Sequence, residues 1–170
     1  MNTGIYVVMG VSGSGKSLIG SRLARALDVE FVEGDEFHST ENIERMSAGI
    51  PLGDEDRAGW LSALARRLRV ANDENVGVVL SCSALKRAYR DILRAETQKV
   101  QFIFLRGTRD VIASRVAHRA GEHFMPPSLL DSQLAILEEP SQDEHAWVCD
   151  INDSPEKIVA DLVARASHDG

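Results

Sequence analysis

Ile5-Tyr6-Val7-Val8-Met9-Gly10-Val11-Ser12-Gly13-Ser14-Gly15-Lys16-Ser17 reads as a strand, a loop and the first residues of a helix. Five apolar residues run directly into G-x-x-x-x-G-K-S, and Leu18 to Leu27 continue with Ile19, Leu23 and Leu27 at spacings of four. A loop spelled this way between a strand and a helix cradles the phosphates of a nucleoside triphosphate. Glycines let the backbone come close to the phosphates, so that successive N–H groups of Gly10 through Ser17 form an anion nest. The helix starting near Lys16 adds the positive end of its dipole. Lys16 supplies a full charge to the β- and γ-phosphates, and the Ser17 hydroxyl is the candidate Mg²⁺ ligand. The loop implies a nucleotide, magnesium and an α/β fold, but names no acceptor.

A chain of 170 residues suits one domain, spanning 1–170. Its 44% apolar and 26% charged residues are ordinary for a soluble globular protein with one core. The net charge of −7, with no basic run, argues against nucleic-acid binding as a main role. No stretch approaches the length of a membrane span, and the start of the chain has no charged leader or cleavage site, so a cytoplasmic protein is expected. Cys82 and Cys149 match no metal or redox spacing and read as two buried thiols in a reducing compartment.

Beyond the loop, apolar runs alternate with helical patterns. Strands are expected at 5–9, 29–32, 76–80, 100–105 and 146–151. Helices are expected at 18–27, over two segments of 40–70 split by Gly49-Ile50-Pro51-Leu52-Gly53, at 84–96, from about 109, around Leu130 to Leu137, and at the end of the chain. Short apolar strands separated by helices predict a parallel sheet covered on both faces, with ligands gathered at the carboxyl ends of the strands. The phosphate loop, Asp35, the 81–86 segment and the 106–124 region should then converge on one crevice.

Four groups of residues outside the loop carry candidate chemistry. Asp35, just past the second strand, either orients or deprotonates an acceptor hydroxyl, or holds a metal-bound water, or caps the turn that follows. His38 beside it reads as a surface histidine or a ligand contact. Lys86 and Arg90 are four apart after Ser81-Cys82-Ser83, and form either an anion site or a solvated basic face. Arg115 and Arg119 repeat that spacing before Gly121 and read as arginines of a lid over the transferring phosphate, or as an exposed helix face.

Several segments together resemble the gluconate kinase (gluconokinase) family, in the shikimate-kinase-like and nucleoside-monophosphate-kinase-like group. They are Met9 to Ser17; Gly34-Asp35 with His38; Asn42-Ile43-Glu44-Arg45-Met46 through Pro51-Leu52 and Asp54-Glu55-Asp56-Arg57 to Trp60-Leu61; and Cys82-Ser83-Ala84-Leu85-Lys86 with Tyr89-Arg90-Asp91. A looser match runs from Phe102 through Gly107, Ser114-Arg115 and Arg119 to Gln133 and Glu139-Pro140. The resemblance implies a three-layer P-loop kinase fold with a five-stranded parallel sheet, a helical substrate-binding insert at about 38–70 and a lid at about 119–127. It implies MgATP-dependent phosphorylation of D-gluconate at the 6-hydroxyl. Asp35 would act on that hydroxyl, while Lys16, Arg115 and Arg119 stabilise the transferring phosphoryl. Arg45, Arg57, Lys86 and Arg90 are the cations available for the carboxylate, with the one that touches it left open, and His38 and Gln133 are candidate partners for the polyol. Pro155 would flank adenine, and a homodimer has family precedent. Two departures stand out: Glu122 interrupts the lid's Gly-His pair, and residues 76–81 contain no aspartate, which leaves magnesium mainly on Ser17, phosphates and water.

Shikimate or another acidic polyol is the alternative acceptor on the same scaffold. A nucleoside-monophosphate kinase lacks support in the insert. A GTPase switch would need a guanine-reading Asn-Lys-x-Asp or Thr-Lys-x-Asp, and neither occurs; Asp56-Arg57-Ala58-Gly59 spells D-x-x-G but follows no strand.

Overall fold

The computed structural model describes residues 2–97, 99–118 and 127–169. Five parallel strands form one sheet in the order β2-β3-β1-β4-β5, with β1 at Ile5–Met9, β2 at Glu30–Glu33, β3 at Val78–Ser81, β4 at Val100–Arg106 and β5 at Trp147–Asp150. Every residue of β1 and β3 is buried, as a central strand requires when helices cover both faces of a sheet.

The helices are α1 (Lys16–Leu27), α2 (Thr40–Ser47), α3 (Asp54–Glu74), α4 (Arg87–Arg94), α5 (Arg109–His118), α6 (Pro127–Ile136) and α7 (Pro155–Asp169). Helix α1 packs on α7, and α3 on α4. Asp28 ends α1 and Asn75 ends α3 in the left-handed conformation that short polar side chains tolerate. α3 turns Trp60, Leu61, Leu64 and Leu68 into the same core that holds Val7, Leu80 and Ile103. Truncating one of these leucines to alanine would cost about 2–5 kcal/mol.

Several boundaries differ from the sequence expectation, two helix boundaries among them. α3 runs on to Glu74, four residues beyond the expected end. Helix α4 begins at Arg87 rather than 84, because the chain leaving β3 first passes the phosphate loop in irregular conformation. Cys82 N–H donates to Val8 O, Ser83 O accepts from Gly10 N–H, and Ala84 sits at φ 46, a backbone few residues with a Cβ adopt. The D-x-x-G tetrapeptide is a stretch of α3 and forms no loop.

Candidate active site

The loop between β1 and α1 is shaped by its glycines. Gly15, at φ 99, faces open space on the side where a Cβ would point. Gly13, at φ 86, lies so close to Val116 of α5 that an added Cβ would come within 2.5 Å of it. The Ser14 hydroxyl is buried and has no hydrogen-bond partner among the described residues. An orphaned hydroxyl inside a glycine-lined concavity at a helix N-terminus fits a phosphate ligand. Lys16 Nζ reaches back to Val11 O at 3.1 Å. Burial lowers the pKa of this ammonium, and the negative charges of Asp35 and Glu33 act in the opposite sense.

Glu33, the last residue of β2, was not among the residues singled out in the sequence. Its carboxylate accepts from the hydroxyls of both Ser17 and Ser81. Ser17 and Glu33 make an oxygen-only donor set of the kind hard divalent cations take, directly below the phosphate nest. The sequence held a weak signal for it, since an acid at the carboxyl end of a parallel strand lies at the ligand edge of the sheet.

The loop flanks a cavity of about 400 Å³ whose wall includes Ser14, Gly15, Leu18, Arg115, Asp153 and Pro155. Its partly apolar lining beside the phosphate nest suits a nucleotide base. The Arg115 guanidinium donates to Ile151 O, so it is fixed against the cavity wall. Arg119 and the expected lid lie outside the described residues, apart from Pro127, which opens α6.

On the other side of Lys16, residues Gly34–Phe37 form a short 3₁₀ turn. Asp35 is exposed there, close enough for its charge to act on both Lys16 and His38. Trp60 of α3 fixes this turn by donating from Nε1 to Gly34 O at 2.8 Å. The His38 ring stacks on Trp60 with centroids 3.9 Å apart, and its Nδ1 lies 3.4 Å from Asn42 Nδ2. Burial pushes the imidazole down to about 4, with Asp35 acting against that shift and Arg57 reinforcing it, so His38 is neutral at physiological pH.

The candidate cations separate into distinct settings. Arg57 is 7% exposed; its Nη1 donates to Tyr89 OH at 3.0 Å, its guanidinium lies over the Tyr89 ring, and it has no carboxylate partner among the described residues. Lys86 pairs with Asp54 at 3.1 Å, and Asp54 also accepts from Tyr89 OH. Arg45 pairs with Asp56 at 2.9 Å, and the same Asp56 caps α3 by accepting from Gly53 N–H.

Two assignments are corrected by the geometry. Arg90 has no exposed surface; Nε and Nη2 hold Glu144 at 2.7 and 3.0 Å, and Nη1 donates to Ala84 O. It shares no basic face with Lys86 and shapes the 82–86 segment from behind. Gln133 is likewise occupied, for its Oε1 accepts from Ser12 N–H at 2.7 Å and its Nε2 donates to Ser12 Oγ at 3.0 Å. Its amide faces the phosphate loop rather than a polyol. Neither cysteine is in a disulfide, and burial pushes the Cys82 thiol up to about 12, which makes it inert.

Comparisons with known proteins agree with this geometry. The shikimate kinase family model matches residues 12–166. A probable gluconokinase of Dictyostelium discoideum is 45% identical over 168 residues, covering 93% of this chain and 84% of that protein. The thermosensitive gluconokinase of Escherichia coli K12 is 47% identical over 148 residues, covering 86% and 79%. The crystal structure of a gluconokinase from Sinorhizobium meliloti 1021 superposes with a TM-score of 0.88 at 46% identity, covering 98% of this chain and 93% of that one. With that much identity over most of its length, and with a fold that superposes on a solved gluconokinase, the chain belongs to the gluconokinase family of P-loop kinases.

Proposed function

We propose that the protein transfers the γ-phosphoryl group of ATP to the 6-hydroxyl of D-gluconate, giving 6-phospho-D-gluconate and ADP. The observation that carries this reading is Arg57. Arg57 is buried with no carboxylate in direct ion-pair contact among the described residues, Asp54 being linked to it only through the Tyr89 hydroxyl, and an acidic acceptor supplies a carboxylate that can pair with it directly. The relatives named gluconokinase support gluconate as that acceptor.

The roles follow from charge and position. Arg57 of α3, with Lys86 just before α4 and Arg45 of α2, meets the carboxylate. Neutral His38 offers a ring nitrogen to a polyol hydroxyl without adding charge. Asp35 accepts a hydrogen bond from the 6-hydroxyl and takes its proton as the new P–O bond forms and the β–γ bridge breaks. Lys16 and Arg115 offset charge on the transferring group. Phosphoryl transfer asks for this positioning and electrostatic work rather than covalent chemistry by the protein. Ser17, with Glu33 beside it, would hold Mg²⁺, whose charge offsets that of the phosphates. Among the described residues no helix is long and apolar enough to cross a membrane.

The test is ADP release from MgATP with gluconate, shikimate, AMP or no acceptor. Release with gluconate alone is expected. Release with shikimate or AMP instead, or with no acceptor preference, would overturn the assignment.

A further inference from the structure

Ser12 is gripped from a helix 121 residues away in sequence. Both ends of the Gln133 amide engage it, at 2.7 and 3.0 Å, and Gln133 is only 6% exposed. The next residue, Gly13, is backed by Val116 of α5. Helices α5 and α6 therefore hold two consecutive residues of the phosphate loop.

The direction of these bonds is determined. A backbone N–H can only donate, so Gln133 Oε1 faces Ser12 N and Gln133 Nε2 donates to Ser12 Oγ. With Gln133 as donor, the Ser12 hydroxyl acts as acceptor in that contact, and its own proton is left to be given elsewhere. The loop also has a polarity. Ser14 and Gly15 wall the base cavity, whereas Gly10 is bonded to Ser83 and Lys16 Nζ rests on Val11 O. A nucleotide lying from the base cavity toward the acceptor side thus brings its terminal phosphate against residues 10–13.

We propose that Gln133 is a positioning residue that sets the Ser12 hydroxyl as a hydrogen-bond donor to the terminal phosphate of ATP. The proposal rests on the reading of the protein as an ATP-dependent kinase, but not on the identity of the acceptor. Gln133 touches no substrate itself. Its effect is confined to the γ-phosphate, because ADP does not reach the Ser12 end of the loop.

The test compares affinities for ADP and for a non-hydrolysable ATP analogue, both with Mg²⁺, together with kcat. Gln133→Met removes the amide at similar length. Gln133→Glu retains an acceptor for Ser12 N–H but turns the Ser12 hydroxyl proton toward itself. Both variants, and Ser12→Ala, are expected to hold the ADP affinity within about twofold, weaken the analogue about tenfold to a hundredfold and lower kcat by about tenfold or more, as loss of one hydrogen bond to a charged group predicts. Ser12→Ala added to Gln133→Met should cost no more than about a further twofold, since the two act through one hydroxyl. Equal weakening of ADP and analogue would make the contact a mere brace of the loop and overturn the proposal, as would unchanged analogue binding and kcat. Should Gln133→Met not fold, Gln133→Glu and Ser12→Ala decide the matter by the same ratio. Wild-type protein that binds neither nucleotide would instead sink the kinase reading.

Discussion

Lys16 is held in a setting that burial makes unfavourable for its own charge, so its retention there serves the ligand rather than the fold. Lys16→Ala should lower kcat by roughly 10²–10³, the usual loss of a transition-state charge stabiliser, while the melting temperature stays level or rises. Steady-state kinetics beside a thermal melt checks both. Asp35→Asn should lower kcat more than it raises the KM for gluconate; an unchanged kcat would make Asp35 a turn residue only. His38 predicts a pH dependence of stability. Its folded pKa, about 4, lies below the unfolded value near 6.5, so on acidification the unfolded chain takes up the proton first. Stability present above pH 6.5 is lost as the pH falls toward 4, by roughly 1–3 kcal/mol. Urea titrations at pH 7.5 and 4.5 should show a smaller loss in His38→Gln than in the wild type. At this scale the sequence was legible where a motif dictates spacing, as from Gly10 to Ser17. It was less so where a polar side chain had to choose a direction. Gln133 and Arg90 look alike as candidates for a sugar acid, and only partners at Ser12 and Glu144, far away in the chain, show that both face elsewhere.

Among the elements, α4 is tied to the short 3₁₀ turn Gln142–Glu144 by a buried network. Glu144 is bound by Arg90 and Arg94, and Arg87 adds an exposed pair with Asp143. Despite its burial, hydrogen bonds from Arg90 and Ser141 and the Arg90 charge hold the Glu144 carboxyl down at about 2. Arg90→Met breaks the buried pair and should cost roughly 3 kcal/mol, a fall of about 6–12 °C in melting temperature for a chain of this length. The KM for gluconate should move by less than about threefold, against tenfold or more for Arg57→Met, which removes a buried donor from the acceptor side. A large rise in Arg90→Met would return Arg90 to the acceptor's contacts. The late start of α4 has the same origin. Helical periodicity at 84–96 cannot reveal that Ala84 is drawn into a left-handed conformation beside the phosphate loop, with its carbonyl held by Arg90. The central strands β1 and β3 were legible because strands covered on both faces carry short continuous apolar runs, whereas the edge strands β2 and β5 mix charged and apolar residues.

For the molecule as a whole, α3 shares one core with β1, β3 and β4, and this joins the acceptor side to the nucleotide side. We expect a single cooperative unfolding transition followed alike by far-ultraviolet circular dichroism and tryptophan fluorescence, the latter reporting Trp60 of α3, bonded just past edge strand β2, and Trp147 in edge strand β5. Two separated transitions would make residues 38–70 an independently melting unit. The strand order also governs how the chain is made. β1 is the middle of the sheet, yet its neighbours β3 and β4 begin at Val78 and Val100. A ribosome must therefore release much of the polypeptide before β1 can be flanked on both sides, and until then an apolar strand with at least one open edge waits in solution. Such a strand is a site for aggregation or chaperone capture. Slow translation between β1 and β4 would lengthen that exposure, whereas pauses after β4 would come when the centre of the sheet can already close.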